Sequence, residues 1–268
     1  MKIISFNVNG IRARIHQLKF IIKKYQPDII GLQETKVANE DFPLDELGEL
    51  GYHISYFGQK THYGVAILSL VKPNNTQKGF INDDPNAQRR LIISDYHING
   101  LPLKVINGYF PQGENRNHPV KFPEKLKFYA NLQNYLNVHC LPSDNLVVIG
   151  DFNISATDQD IGIGDDNKKR WLRSGKCSFL PEERECFSRL ENWGLFDCFR
   201  ILNPTVDDCY TWFDYRSKGF DKEPKRGLRI DSVLATRSLL SLCKSVVVDY
   251  QARAMDKPSD HAPIIATF

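Results

Sequence analysis

No stretch of the sequence approaches the roughly 18 consecutive apolar residues that cross a bilayer as a helix, so a helical membrane protein is not expected. The opening segment MKIISFNVNG holds too short an apolar stretch for a secretory signal, and a cytoplasmic protein is the expectation. Cysteine is sparse. Cys140, Cys177, Cys186, Cys198, Cys209 and Cys243 contain no pair with two intervening residues, which removes zinc-ribbon and dithiol redox motifs and leaves reduced thiols as the default. An excess of one charge is also lacking. The 35 basic and 32 acidic residues leave a net charge of +3, too mild to prove a polyanionic partner from composition. Repeats, low-complexity segments and Pro/Gly/Ser linkers are absent. So are G-x-S-x-G, G-x-x-x-x-G-K and H-E-x-x-H, and GIG at 162–164 lacks the third glycine of a dinucleotide loop. Ser259 beside Asp260 and His261 is therefore a poor serine nucleophile.

What remains is a chain of 268 residues, 41% hydrophobic and 25% charged, which is ordinary for a globular protein and long enough to bury a sizeable core. Short apolar runs predict strands at KIISF, DIIGLQET, NLVVIGDFN, YTWFDY, LRIDSVLAT, KSVVVDY and APIIATF. YHISYFG and GVAILSL read as a hairpin, and RRLIISDYHI and LKVINGYF as another, joined near Asn99-Gly100. Helices are predicted over 11–25, ended by Pro27, and over 121–138 and 182–193. Mixed strands and helices suggest an α/β fold, with sheets sandwiched between helices.

Polar groups cluster where the apolar runs stop. SFNVNG carries Asn7 and Asn9, GLQETK carries Gln33 and Glu34, and INGYFPQGE carries Asn107 and Tyr109. In GDFNIS the chain is expected to turn at Gly150 and to aim Asp151 and Asn153 to one side. Asp231 stands inside LRIDSVLAT, where a lone carboxylate is costly to bury. His261 in PSDHAP is a natural partner, because a carboxylate on one ring nitrogen fixes the tautomer and raises the basicity of the other. Glu34, Asp260 and the amide oxygen of Asn7 form a hard oxygen set of the type Mg²⁺ prefers. Asn153 and Tyr109 offer neutral donors to an anionic oxygen, and Asp151 can orient a water or protonate a leaving oxygen. Such a set suits hydrolysis of a phosphate ester.

Together SFNVNGIRAR, QPDIIGLQETK, INGYFPQGE, GDFNIS, WFDYRSKG, LRIDSVLA and KPSDHAP resemble the bacterial exonuclease III family of abasic-site endonucleases, in order and over essentially the whole chain. The resemblance implies a deoxyribonuclease I-like, four-layer α/β sandwich: two packed mixed β-sheets flanked by helices, forming one domain over residues 1–268. It implies catalytic roles for Tyr109, Asp151, Asn153, Asp231 and His261. It also implies a metal set drawn from Asn7, Glu34, Asp151, Asn153, Asp260 and His261, holding Mg²⁺ with Mn²⁺ as a substitute. Trp212, Leu228 and Ile230 resemble the family's pocket for a baseless sugar. Two departures are small: Phe152 stands where methionine is frequent in the family, and KGFDKEPKRG is longer than in its best-known member.

The surrounding charge separates DNA from other phosphate esters. NKKRWLRSGK has five basic residues, no acidic one and an aromatic: Lys168, Lys169, Arg170, Trp171, Arg173 and Lys176. YRSKGFDKEPKRGLR, with Arg216, has six basic residues against Asp221 and Glu223, and Arg89 and Arg90 add a pair. Basic side chains neutralise backbone phosphates, and interleaved aromatics stack or wedge. The expected partner is duplex DNA with abasic sites or 3′ ends, acted on by a monomer in the cytoplasm at the nucleoid. The rivals are a lipid or small-molecule phosphodiesterase, which would lack the basic runs, and an inactive nucleic-acid-binding module, which would lack a catalytic group.

Overall fold

The computed structural model describes residues 1–98 and 100–268. Among the described residues the strands form two six-stranded sheets. The first has the order β11 (Ser245–Val248), β12 (Ile264–Thr267), β1 (Lys2–Asn7), β2 (Ile29–Gln33), β4 (Val65–Ser69), β3 (His53–Phe57). The second runs β5 (Asn75–Lys78), β6 (Leu91–Ile98), β7 (Leu101–Tyr109), β8 (Leu146–Asp151), β10 (Asp231–Thr236), β9 (Leu195–Asp197). In each sheet one central pair is parallel, β1 with β2 and β7 with β8, and the other pairings are antiparallel.

Strand periodicity explains the layers. Successive side chains point to opposite faces, and the central strands are buried on both, so they read as unbroken apolar runs. Ile3, Ile29, Ile67, Val105, Ile149 and Val233 fill the space between the sheets. Their neighbours Ile4, Ile30 and Leu68 face outward onto α1 (Ile15–Tyr25) and α2 (Leu44–Gly48). Ile106, Val148 and Leu234 face outward onto α3 (Lys121–His139) and α5 (Pro181–Trp193). The result is the four-layer α/β sandwich expected.

The sheets approach closely at Gly31, where an added Cβ would fall 2.8 Å from Asn107 Oδ1. Asn107 uses that room to cross between sheets: its Nδ2 donates to Leu32 O at 3.0 Å and Ala66 O at 2.9 Å, and its Oδ1 accepts from Gln33 Nε2 at 2.7 Å.

Several sequence expectations are corrected. Gly150 is not a turn. It lies within β8 at φ 152°, where an added Cβ would stand 1.9 Å from Gly108 O, so the parallel neighbour admits only glycine. The chain turns later, at Asn153, with φ 54°. YTWFDY is not a strand. Phe213 packs edge-on with Tyr210, Phe220 and Tyr250, and Trp212 makes only isolated bridges to Leu228 and His261. β10 begins at Asp231, because Leu228–Ile230 pairs with loops: Arg229 N donates to Asp160 O, and Ile230 O accepts from Phe152 N. Finally, the basic run at 167–176 lies on a helix not foreseen, α4 (Asp165–Ser174). It buries no residue and so carries no apolar stripe, but Gly175 at φ 74° ends it and Asp165 and Asp166 suit its positive N-terminus. The helix expected over 11–25 is interrupted at Arg14, with one 3₁₀ turn before α1. The Asn99-Gly100 joint lies partly outside the described residues; Gly100 has φ 81°.

Candidate active site

Register brings the polar strand ends together. The parallel pairs put Asn7 beside Gln33, and Tyr109 beside Asp151, at one edge of each sheet. The antiparallel β10 sets Asp231 opposite Asp151, and β12 runs antiparallel to β1, which returns Asp260 and His261 to the same edge.

Asn7 joins the two sheets. Its Nδ2 donates to Glu34 Oε1 and to Asp151 Oδ2, each at 2.9 Å. Its Oδ1 accepts from the backbone N–H of Asn9 at 3.0 Å, and that group can only donate, which fixes the amide orientation. Here the expected Asn7 oxygen faces a backbone donor, and Asn7 presents its nitrogen to the two carboxylates and holds them together. Lys36 Nζ lies 2.9 Å from Glu34 Oε2.

Asp231 and His261 form the expected pair, with His261 Nδ1 2.8 Å from Asp231 Oδ2. His261 Nε2 lies 3.7 Å from Asp151 Oδ2. Burial alone would lower the His261 pKa, but Asp231 and Asp151 outweigh it and raise it, so the ring is held protonated. Burial pushes the Asp151 carboxyl up; His261 and the Asn7 hydrogen bond oppose that, while Asp231 and Glu34 add to it. Burial and Glu34 also raise Tyr109 well above its ordinary value, keeping its phenol a neutral donor.

Asn153 is brought to the site in a left-handed conformation. Its backbone N–H donates to Asp151 Oδ1 at 3.0 Å, and its Nδ2 donates to Phe110 O at 3.0 Å, so one amide proton is already committed. Phe152, the residue that departs from the family pattern, is fully buried and stacks on Phe110 at 4.3 Å between centroids, away from the chemistry.

Glu34, Asp151 and His261 each offer a donor atom, all within 4.8 Å of one another. The two carboxylates match a hard cation that takes one or two protein oxygens and leaves positions for substrate phosphate. The protonated imidazole suits an anionic oxygen better than a cation. Asp260 is not in this group: its Oδ1 accepts from Asn9 Nδ2 at 2.8 Å and its Oδ2 from Trp212 Nε1 at 3.0 Å. It steadies Trp212, a role the sequence did not suggest.

The candidate DNA-contact residues divide. Lys169, Arg170, Arg173 and Arg216 are exposed. Lys168 pairs with Asp158 at 2.9 Å, and Arg89 packs over Phe57. Arg90 is corrected: it is only 8% exposed, packed against the rings of Tyr63 and Tyr109, and its Nη1 donates to Tyr109 O at 3.1 Å. It supports Tyr109 from behind. Arg229, counted in the second basic run, is buried too. Leu228 and Ile230 are buried with Ile163 and Phe179, under the half-exposed Trp171 and Trp212. A cavity opens beside these two tryptophans, lined also by Arg170, Asp214, Lys222 and Arg226.

Lys125 escaped sequence reading altogether. It is fully buried, pairs with the fully buried Glu183, and donates from Nζ to Asn153 O at 2.9 Å. Its only signal was a lysine at an inward position of α3.

Two sheets delivering carboxylates, an Asp-His pair, a tyrosine and an asparagine to one edge define a phosphoester-cleaving enzyme. Residues 4–261 match the endonuclease/exonuclease/phosphatase family, and the chain belongs to it. It is 57% identical to the exodeoxyribonuclease III of Haemophilus influenzae over 268 residues, spanning all of both chains. An AP endonuclease from Archaeoglobus fulgidus superposes with a TM-score of 0.90 at 35% identity, covering 100% of this chain and 99% of that one. A variant of the 3′ phosphatase NExo from Neisseria, solved with a product DNA hairpin, gives 0.88 at 37% identity with the same coverage. Among the described residues no helix is long and apolar enough to cross a membrane.

Proposed function

We propose that this chain is a DNA repair phosphodiesterase that cuts duplex DNA on the 5′ side of an abasic site, leaving a 3′ hydroxyl, and that also degrades and cleans 3′ ends. It works as one monomeric domain over residues 1–268 in the cytoplasm, on nucleoid DNA. The observation that carries the reading is the chain Glu34–Asn7–Asp151–His261–Asp231, buried except at Glu34, which links both sheets. A further support is the exposed basic face of α4 beside two tryptophans, which a lipid phosphodiesterase would not need.

Glu34 and Asp151 are the residues that would hold Mg²⁺, or Mn²⁺ in its place. The ion supplies positive charge to the non-bridging phosphate oxygens as negative charge builds there. Asp231 accepts the Nδ1 proton of His261 and so directs Nε2–H toward the phosphate, where the cation stabilises an equatorial oxygen. Tyr109 and the uncommitted amide proton of Asn153 donate to other oxygens. Asp151, held by the Asn7 amide and facing His261, is the group placed to exchange a proton with a reacting oxygen, either the attacking water or the leaving 3′ oxygen.

The test is a duplex with one stable abasic analogue, incubated with Mg²⁺ or with chelator at moderate salt. A Mg²⁺-dependent nick 5′ to the lesion is expected; binding without a nick would mean an inactive binding module. Glu34→Ala and His261→Ala should each lose at least about 100-fold in rate, as expected for a metal ligand and a charged hydrogen-bonding group. Near wild-type rates in either variant would remove its assigned role.

A further inference from the structure

Arg229 stands between Leu228 and Ile230, yet its surroundings differ from theirs. Leu228 and Ile230 belong to the apolar cluster under Trp212 and Trp171. In an extended segment the intervening side chain points the opposite way, and Arg229, 1% exposed, packs over the ring of Phe199 at 5.0 Å. Its Nε donates to Asp160 Oδ1 at 2.7 Å, and its Nη2 lies 2.8 Å from Asp197 Oδ2. Asp160, itself fully buried, receives Arg200 Nη2 on the same oxygen and the backbone N–H and hydroxyl of Thr157, each at 2.8 Å, on the other. The backbone repeats the bond, since Arg229 N donates to Asp160 O at 2.9 Å. On the opposite side Ile230 O accepts from Phe152 N, one residue past Asp151.

A planar guanidinium held by two carboxylates in a dry interior is a rigid clamp. Here it fixes the segment bearing Leu228 and Ile230 against the loop that leaves β8. We infer that Arg229, through Asp160 and Asp197, is a positioning residue for lesion selection: it seats Leu228 and Ile230 beneath Trp212 and Trp171, the apolar floor under the cavity proposed to receive a baseless sugar, without touching DNA or the phosphate. The inference rests on the proposed abasic-site activity.

The chemistry offers a clean separation. Incision 5′ to an abasic site breaks the bond between phosphorus and a 3′ oxygen, and the lesion sugar remains attached to the phosphate on the pocket side. Removal of a 3′-terminal phosphate breaks the same type of bond with the same leaving group, but nothing occupies the pocket. A displaced pocket wall therefore harms the first reaction and spares the second, whereas general loss of structure harms both.

The experiment measures kcat/KM of the full chain with Mg²⁺ on an abasic duplex and on a 3′-phosphate duplex, for wild type, Arg229→Met, Arg229→Lys and Asp197→Asn. Asp197→Asn keeps an amide oxygen to cap helix α6 (Cys198–Leu202), whose Phe199 N it serves, and removes only the charge beside Arg229. Arg229→Met is expected to lose about 10-fold or more on the abasic duplex while 3′-phosphate removal stays within about 3-fold. Arg229→Lys should recover part of the loss, and Asp197→Asn should shift the ratio the same way by a smaller factor. If Arg229→Met does not fold, the Asp197→Asn ratio decides. Equal loss on both substrates, or no change in the ratio, overturns the inference. Wild type that removes 3′ phosphate but never nicks the abasic duplex would instead overturn the functional reading beneath it.

Discussion

At the residue scale, Asn7 does more than its size suggests. One amide nitrogen donates to a carboxylate at the end of β2 and to another at the end of β8, so two negative groups share a donor where they would otherwise repel. Asn7→Ala should therefore weaken the site without removing any of its charges. The Mg²⁺ concentration for half-maximal incision should rise, or the rate fall, by about 10–100-fold, the usual cost of losing a partner that orients a metal ligand; a titration of rate against Mg²⁺ checks it. Asp160 gives a second residue-scale prediction. Burial alone would raise its carboxyl, but Arg229, the Thr157 backbone and Arg200 together hold it below the ordinary carboxylate value. Its stabilising contribution is thus present above the unfolded pKa of about 3.9 and is lost as pH falls through the lower folded value. The stability gap between wild type and Asp160→Asn, measured by urea unfolding, should narrow as the pH is taken from about 5 toward 2.

At the element scale, α3 and α5 are tied by the pair Lys125–Glu183, with both side chains fully buried. Glu183 also accepts from Ser178 N and Leu180 N, and Lys125 reaches Gln112 O and Asn153 O. Removing one partner strands a buried charge. Lys125→Ala should cost about 3–5 kcal/mol of unfolding free energy, and pairing it with Glu183→Gln should recover part of that loss. The same scale shows what sequence could and could not reveal. β1, β2 and β8 were legible because each apolar run stops at a polar group that turned out to face the site. α4 was not, since it buries no residue fully and its inward positions, Asn167, Lys168 and Trp171, supply a single apolar side chain. Arg229 and Arg90 looked like surface charge because a basic residue in a basic stretch carries no mark of burial; only the acids facing Arg229 and the rings flanking Arg90 reveal it. For Asn7 the residue was legible but not its orientation, which depends on the backbone of Asn9.

At the scale of the whole molecule, the site exists only because two sheets meet. Glu34, Asn7, Asp260 and His261 come from the first, and Tyr109, Asp151 and Asp231 from the second, with Gln33 and Asn107 bonding the sheets together just behind them. An ion that binds the folded state alone stabilises it by mass action, so Mg²⁺ should raise the melting temperature of the wild type and leave that of Glu34→Ala unchanged. The central claim, that these groups converge on one cation and one phosphate, is tested most directly by anomalous diffraction from crystals grown with Mn²⁺ and nicked abasic DNA. The account predicts a manganese peak in bonding contact with the Glu34 carboxylate and a DNA phosphate lying between Tyr109 and His261. A manganese peak elsewhere, or DNA bound on another face of the sandwich, would contradict it.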